Sequence, residues 1–134
     1  MKHINEIEGI GEVHTKKLET IGITTVEELL EAGKTPKGRN DLAAKTGYSE
    51  HHILKWVNQA DLFRIHGIAR QYAELLESAG VDSVLELAQR NAEHLHEKLK
   101  SANEANRQVH VVPGVATVSK WIEEAKALPR VVSY

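Results

Sequence analysis

Two short glycine motifs are the residues in this chain whose types and spacing could do chemistry. Gly9-Ile10-Gly11 and Gly67-Ile68-Ala69 each stand ahead of a segment with the apolar periodicity of a helix. Backbone N–H groups at the N-terminus of a helix point outward, and with the helix dipole they can bind a phosphate oxygen. Such a contact follows the nucleic-acid backbone and not the bases, so it would be independent of sequence.

Positive charge close to these motifs would support phosphate binding. Lys16 and Lys17 follow the first motif, and Arg70 directly follows the second. Residues 34–40 are basic and contain glycine, and we interpret them as a loop ahead of a helix, either anion-binding or simply solvated. Glu12 works against the first motif, because it places a carboxylate where a phosphate would sit. The predicted nucleic-acid-binding residues are Gly9, Ile10, Gly11, Lys16, Lys17, Lys37, Arg39, Gly67, Ile68, Ala69 and Arg70.

The overall charge limits how strongly the chain could bind nucleic acid. Its 134 residues include 17 Lys and Arg against 19 Asp and Glu, which gives a net charge of −2. Because DNA affinity depends on neutralising phosphates, we expect any binding to be weak and very sensitive to salt. The alternative interpretation is that both glycine motifs are only turns between packed helices.

Other candidate chemistries lack the spacing that they require. None of the eight histidines stands four residues from another, the spacing that puts two imidazoles on one helix face, so we expect no metal site. The absence of cysteine removes thiolate nucleophiles, disulfides and Cys-based zinc sites. No nucleophile–base set, Walker loop or dinucleotide fingerprint stands out. We therefore expect a non-enzymatic protein with no cofactor.

An internal repeat positions the two motifs. Residues 7–29 match residues 65–87 without a gap, and residues 53–60 match residues 118–125 at an offset about seven residues larger. A repeat of this kind indicates supersecondary units that pack against each other. We predict two units, residues 1–61 and 62–134, the second with an inserted loop and a C-terminal tail, packed as one compact body.

Helix start and stop signals recur in the same order in each copy. Gly22 and Gly80 are predicted to end the helices over about 12–21 and 70–79 at positive φ. The next helices are capped by Thr24 or Thr25 in the first copy and by Asp82 or Ser83 in the second. Further helices are predicted from a cap at Asn40 or Asp41 to Gly47, over about 52–61, over about 91–102, and around Trp121.

Nothing in the pattern predicts a strand, so the fold class is all-α. Val109-His110-Val111-Val112 is short and isolated, and we interpret it as an extended loop. Trp56 and Trp121 stand at equivalent positions of the repeat, flanked by apolar residues at helical spacing. We expect both to be core residues; an exposed platform for stacking bases is the alternative.

The first motif and the residues after it resemble the helix-hairpin-helix motif. The resemblance rests on Ile7-Glu8-Gly9-Ile10-Gly11, on Leu18, and on Gly22-Ile23-Thr24-Thr25-Val26. From about Ile4 to Arg130 the chain resembles an uncharacterised bacterial family of tandem helix-hairpin-helix proteins, a domain of unknown function with SAM-like helical units. The resemblance implies hairpins that grip duplex DNA across the minor groove. Some such hairpins also bind a monovalent cation through their carbonyl groups.

The sequence also leads to expectations about the partner and the location of the protein. The leading partner is duplex DNA, bound without sequence preference. The alternative is another protein, with the chain acting as an adaptor of the same fold, which the charge balance favours. The chain has no continuous apolar run at its start and none of the ~20 residues that a membrane helix needs, so we expect a cytoplasmic protein.

Overall fold

The structure is a computed structural model that describes residues 2–134, and in that range it is all-helical, as predicted. A 3₁₀ turn at Ile4–Glu6 precedes the first α-helix. In the same range no strand forms beyond an isolated bridge between His3 and Thr25. The helices are α1 (Glu12–Glu19), α2 (Val26–Gly33), α3 (Pro36–Thr46), α4 (Glu50–Leu62), α5 (Arg70–Ser78), α6 (Val84–Ala88), α7 (Ala92–Asn106) and α8 (Val115–Ala127).

The chain divides into two compact units. The first comprises the residues up to Asp61 together with Arg130–Tyr134, and the second is Leu62–Pro129. In the first unit α2 packs against α3, and in the second α8 packs against α6 and α7 while α5 packs against α7. Among residues 2–134, none of the helices combines the length and the apolar character that crossing a membrane requires.

The C-terminal tail, which the repeat assigns to the second copy, packs with the first unit. Val132 is buried, and the Ser133 N–H donates to the Lys34 carbonyl at 2.8 Å. The Tyr134 hydroxyl donates to Oδ1 of Asn58 at 2.8 Å. The first unit therefore consists of two separate stretches of the chain.

Both copies end their first helix with the same glycine turn. The N–H of Gly22 donates to the carbonyl of Glu19, and the N–H of Gly80 donates to that of Glu77. The two glycines have φ values of +84° and +93°. These φ values confirm the prediction that both helices stop at a left-handed residue. Glycine suits these positions because it adopts this conformation without steric cost.

Both copies begin their second helix with a hydroxyl cap. Thr25 and Ser83 each accept the backbone N–H of the glutamate three residues on, Glu28 or Glu86, at 3.1 Å. Glu28 completes a capping box by accepting from the backbone N–H groups of Thr24 and Thr25 at 3.0 Å. The Thr24 N–H, then the Thr24 hydroxyl and then the Thr25 N–H hold the pKa of Glu28 below its ordinary value.

Residues 34–40 do not form the predicted loop. Pro36 is the first residue of α3, and Thr35 caps the helix by accepting a backbone N–H of its first turn at 3.0 Å. The predicted cap at Asn40 or Asp41 was wrong. Proline suits the first turn of a helix because its φ is already helical and its missing N–H would have no partner there.

The core is aliphatic around two tryptophans, as predicted. Trp56 on α4 is 1% exposed and Trp121 on α8 is 4% exposed. Both lie where the repeat places them, in the interior of an amphipathic helix. The largest fully buried side chains are Trp56, Ile4, Ile7, Ile10, Leu18, Leu29, Ile53, Leu62, Ile65, Ile68, Leu75 and Leu76.

Candidate functional site

The first glycine of each motif forms the same turn against a tryptophan. Gly9 has φ +90° and Gly67 has φ +87°. A Cβ at Gly9 would lie 3.6 Å from Nε1 of Trp56, and one at Gly67 would lie 3.6 Å from Nε1 of Trp121. Both glycines therefore have a structural role, since they make the turn and bring its backbone against a core ring.

The isoleucine of each motif faces inward. Ile10 and Ile68 are both 1% exposed. The N–H of each donates to a carbonyl three residues earlier, that of Ile7 or Ile65, at 3.1 Å. An N–H that is already bonded inside the turn is not available to a phosphate. The prediction that Ile10 and Ile68 contact phosphate is corrected: they anchor the turn in the core.

The remaining backbone donors lie at the starts of α1 and α5. Gly11 and Ala69 are the N-caps of these helices, both with extended backbones (ψ −163°) and without a side-chain cap. Within residues 2–134, no acceptor is bonded to the N–H groups of Gly11, Glu12 and Val13, nor to those of Ala69 and Gln71. These donors stand at the positive ends of two helix dipoles, which is where an anion would bind.

The cations beside the motifs are not equally available. Nζ of Lys16 pairs with the Glu12 carboxylate at 3.1 Å, and both side chains are exposed. Lys17 is exposed and its Nζ lies 6.0 Å from the centroid of the Tyr48 ring. Arg70 is exposed as the first residue of α5. The charge of Lys16 is therefore partly neutralised by its own helix, whereas Lys17 is the stronger candidate on α1.

Arg39 is a structural residue and not a nucleic-acid ligand. It is 5% exposed, and its guanidinium donates to the carbonyl of Gly33 at 2.9 Å and to that of Ser133 at 2.7 Å. A buried guanidinium that two carbonyls satisfy cannot reach a phosphate, so its predicted binding role is corrected. Lys37 stays exposed in the first turn of α3, where the predicted loop would have been.

A cluster of aromatic rings surrounds Trp56 beside the first motif. Nδ1 of His14 and the hydroxyl of Tyr48 share a hydrogen bond of 2.6 Å. The His52 ring lies 4.6 Å from that of Trp56, and the rings of His14 and Tyr48 each lie 5.3 Å from it. Burial raises the pKa of the Tyr48 phenol above its ordinary value.

The sequence pattern did not predict this ring cluster, although the repeat contains part of the signal. Tyr72 stands in the second copy where His14 stands in the first, and its ring lies 5.4 Å from Trp121. His52 lies one helical turn before Trp56, so both share a face of α4. Across residues 2–134, no group of three or more His, Cys, Asp or Glu side chains is arranged to hold a metal ion.

Comparison with known proteins identifies the chain by family alone. Neither a curated protein nor a solved structure matches it. A family model matches residues 8–128, a span that includes both glycine motifs and both tryptophans. The chain belongs to the family described as Domain of unknown function (DUF4332).

Proposed function

We propose that the chain is a non-enzymatic accessory protein that holds the phosphate backbone of duplex DNA through two tandem helix-hairpin-helix units. The observation that carries this proposal is the recurrence of one local geometry. A turn packed on tryptophan is followed, in each copy, by a helix whose first N–H groups are exposed and lack an acceptor. A single such helix end is common, whereas the same arrangement built twice from matching residues supports a shared role.

In the proposed mechanism each hairpin takes one phosphate. The N–H groups of Gly11, Glu12 and Val13 face one phosphate oxygen, and those of Ala69 and Gln71 face another. Because these donors belong to the backbone, the contact depends on the shape of the duplex and not on its bases. Lys17 and Arg70 add charge beside the first and second hairpins, respectively.

The charge distribution supports weak, salt-sensitive binding. The net charge of the chain is −2, and the carboxylate of Glu12 lies at the entrance to the first hairpin in an ion pair with Lys16. Each cation that neutralises a phosphate displaces condensed counterions, so affinity falls as salt rises, and a site with few nearby cations starts from a low affinity.

A protein–protein adaptor of the same fold is the second candidate, and one observation favours it. Val13 is 75% exposed in the first turn of α1, directly beside the first hairpin. A large apolar side chain at that position suits an interface with another protein better than it suits contact with a charged backbone.

Fluorescence anisotropy with a labelled duplex tests the first proposal against the second. We expect weak binding at about 50 mM salt that is mostly lost by about 200 mM, with equal affinity for duplexes of unrelated sequence. Lys16→Glu combined with Lys17→Glu should weaken binding without unfolding the protein. Absence of binding at low salt would favour the adaptor, which Val13→Asp would then impair.

A further inference from the structure

The second copy contains an insertion that the first copy lacks, and it is built into α7 and the loop after it. The equivalent helix of the first copy, α3, has 11 residues, whereas α7 has 15. Residues 107–114 then connect α7 to α8, where only residues 47–49 connect α3 to α4. In repeat proteins, insertions in single repeats map to loops on one face, which is often the binding face.

The insertion forms one wall of a cleft inside the second unit. The cleft has a volume of about 990 Å³, at the upper end of the range for small-molecule sites. Its lining includes two permanent cations and two imidazoles against one carboxylate. These side chains are Lys100, Arg107, His96, His110 and Glu104.

Arg107 has a left-handed backbone conformation, and a glycine stands at the equivalent position of the first copy. Gly47 caps α3 at φ +80°, and Arg107 caps α7 at φ +50°, both in the left-handed region. Among residues 2–134, Arg107 is the only residue other than glycine that has a positive φ. A left-handed backbone is strained for arginine and not for glycine. The presence of arginine at this position therefore suggests a function for its side chain.

The guanidinium of Arg107 is available to a ligand. In the described part of the chain it makes no hydrogen bond or ion pair, and the residue is exposed at the edge of the cleft. Lys100 is only loosely held, by an ion pair with Glu97 at 3.8 Å. A guanidinium presents parallel donors that match the oxygens of a phosphate group.

The loop that carries these groups is held in place before any ligand binds. The side-chain amide of Asn103 bonds both the N–H and the carbonyl of Val109, at 2.9 and 3.0 Å. Nδ1 of His96 donates to the carbonyl of Pro113 at 2.9 Å, because a carbonyl can only accept. A wall that is already ordered loses little conformational entropy on binding.

The lining of the cleft also has an apolar part, formed by Val109 and Val112. An apolar wall in the same cleft as two cations can cover the flat face of a ring. The cleft therefore suits a ligand with an anionic group and an apolar ring.

We propose that this cleft binds a phosphate-bearing ligand of nucleotide size, with Arg107 and Lys100 on the phosphate and Val109 and Val112 against the base. The same chemistry is offered by a free nucleoside monophosphate and by the phosphorylated end of a nucleic-acid strand. The site is independent of the two glycine hairpins and does not rest on the function proposed for them.

Isothermal titration calorimetry of the full chain at low salt tests the proposal. AMP should bind saturably in the millimolar range or tighter, and adenosine should bind at least about tenfold more weakly because it lacks the phosphate. A 5′-phosphorylated oligothymidine that binds more tightly than both AMP and the same oligothymidine without its 5′ phosphate would identify the strand end as the source. AMP that binds at least as tightly as the oligothymidine would identify the free nucleotide.

Two substitutions of Arg107 separate binding from folding. Arg107→Gly and Arg107→Asn should each weaken AMP binding by on the order of tenfold or more, while Arg107→Gly raises the melting temperature by relieving strain. Lys126→Ala removes an exposed cation of α8 outside the cleft lining and should leave AMP binding unchanged. Failure of AMP to bind, equal binding of adenosine, or full affinity in folded Arg107→Asn would overturn the proposal.

Discussion

Gly9 lies against the indole of Trp56, and its Cβ would be 3.6 Å from Nε1 if it had one. The same distance relates Gly67 to Trp121. This repeated contact joins the exposed turn of each glycine motif to the core of its own unit. The backbone of each motif is therefore held in place by packing.

The glycines of the first hairpin should respond differently to alanine. Gly9→Ala should lower the free energy of unfolding by at least about 1 kcal/mol, because φ +90° is unfavourable for any residue with a Cβ. Gly11→Ala should change it little, since Gly11 has φ −88° with no atom within 4 Å of the added Cβ, and Ala69 already fills the equivalent position. Urea denaturation measures both, and equal losses would contradict the assigned roles.

The capping box of α2 predicts a pH-dependent contribution to stability. The pKa of Glu28 is lowered in the folded state, so the ionised carboxylate stabilises the fold above the ordinary glutamate pKa. That contribution is lost as the pH falls through the lowered folded-state pKa. The parent protein should therefore melt at a higher temperature than the Glu28→Gln variant near neutral pH, and this difference should shrink below about pH 4. Glu27→Gln, on the same helix turn but outside the capping box, should not reproduce this profile.

Alanine substitutions of Arg39 and Lys37 should have different effects, the first on stability and the second on DNA binding. Arg39→Ala removes a buried guanidinium that bonds two carbonyls, one of them in the C-terminal tail, so it should cost about 2–3 kcal/mol of unfolding free energy. Binding of duplex per folded molecule should not change. Lys37→Ala should leave stability within about 0.5 kcal/mol of the parent. If Lys37 faces a phosphate, its loss should also reduce the slope of log affinity against log salt by about 1.

Removing the carboxylate at the first hairpin should strengthen DNA binding. Glu12→Gln eliminates a negative charge beside the proposed phosphate and releases Lys16 from its 3.1 Å ion pair. Both changes favour an anion, so affinity for a duplex should rise a few-fold at about 50 mM salt and less at higher salt. Glu19→Gln, at the far end of α1, is the matched control of the same charge change. A rise of the same size in both variants would indicate only a general charge effect.

Local signals in the sequence predicted the parts of the fold that local interactions determine. Gly22 and Gly80 end their helices as expected, because a left-handed stop needs only a residue without a Cβ. Trp56 and Trp121 are buried because apolar neighbours at helical spacing define one face of each helix. The start of α3 was missed because Pro36 is equally typical of a loop and of a helix's first turn.

The candidate site was harder to predict, because its details depend on residues far apart in the chain. The burial of Arg39 follows from a bond to Ser133, 94 residues away. The ring cluster at the first hairpin joins His14 to Tyr48, 34 residues on. The inward N–H of Ile10 depends on the exact turn geometry, which glycine content alone does not specify. Periodicity and spacing contain none of this information.

Titration of the isotopically labelled chain with duplex DNA at about 50 mM salt, followed by the backbone amide signals, tests the central claim most directly. We expect the largest shifts at the helix-start amides without an acceptor, those of Gly11, Glu12, Val13, Ala69 and Gln71. The amides of Ile10 and Ile68, which are bonded inside the turns, should move less. Shifts confined to other surfaces, or no shifts at this salt concentration, would contradict the proposal that the hairpins hold phosphate.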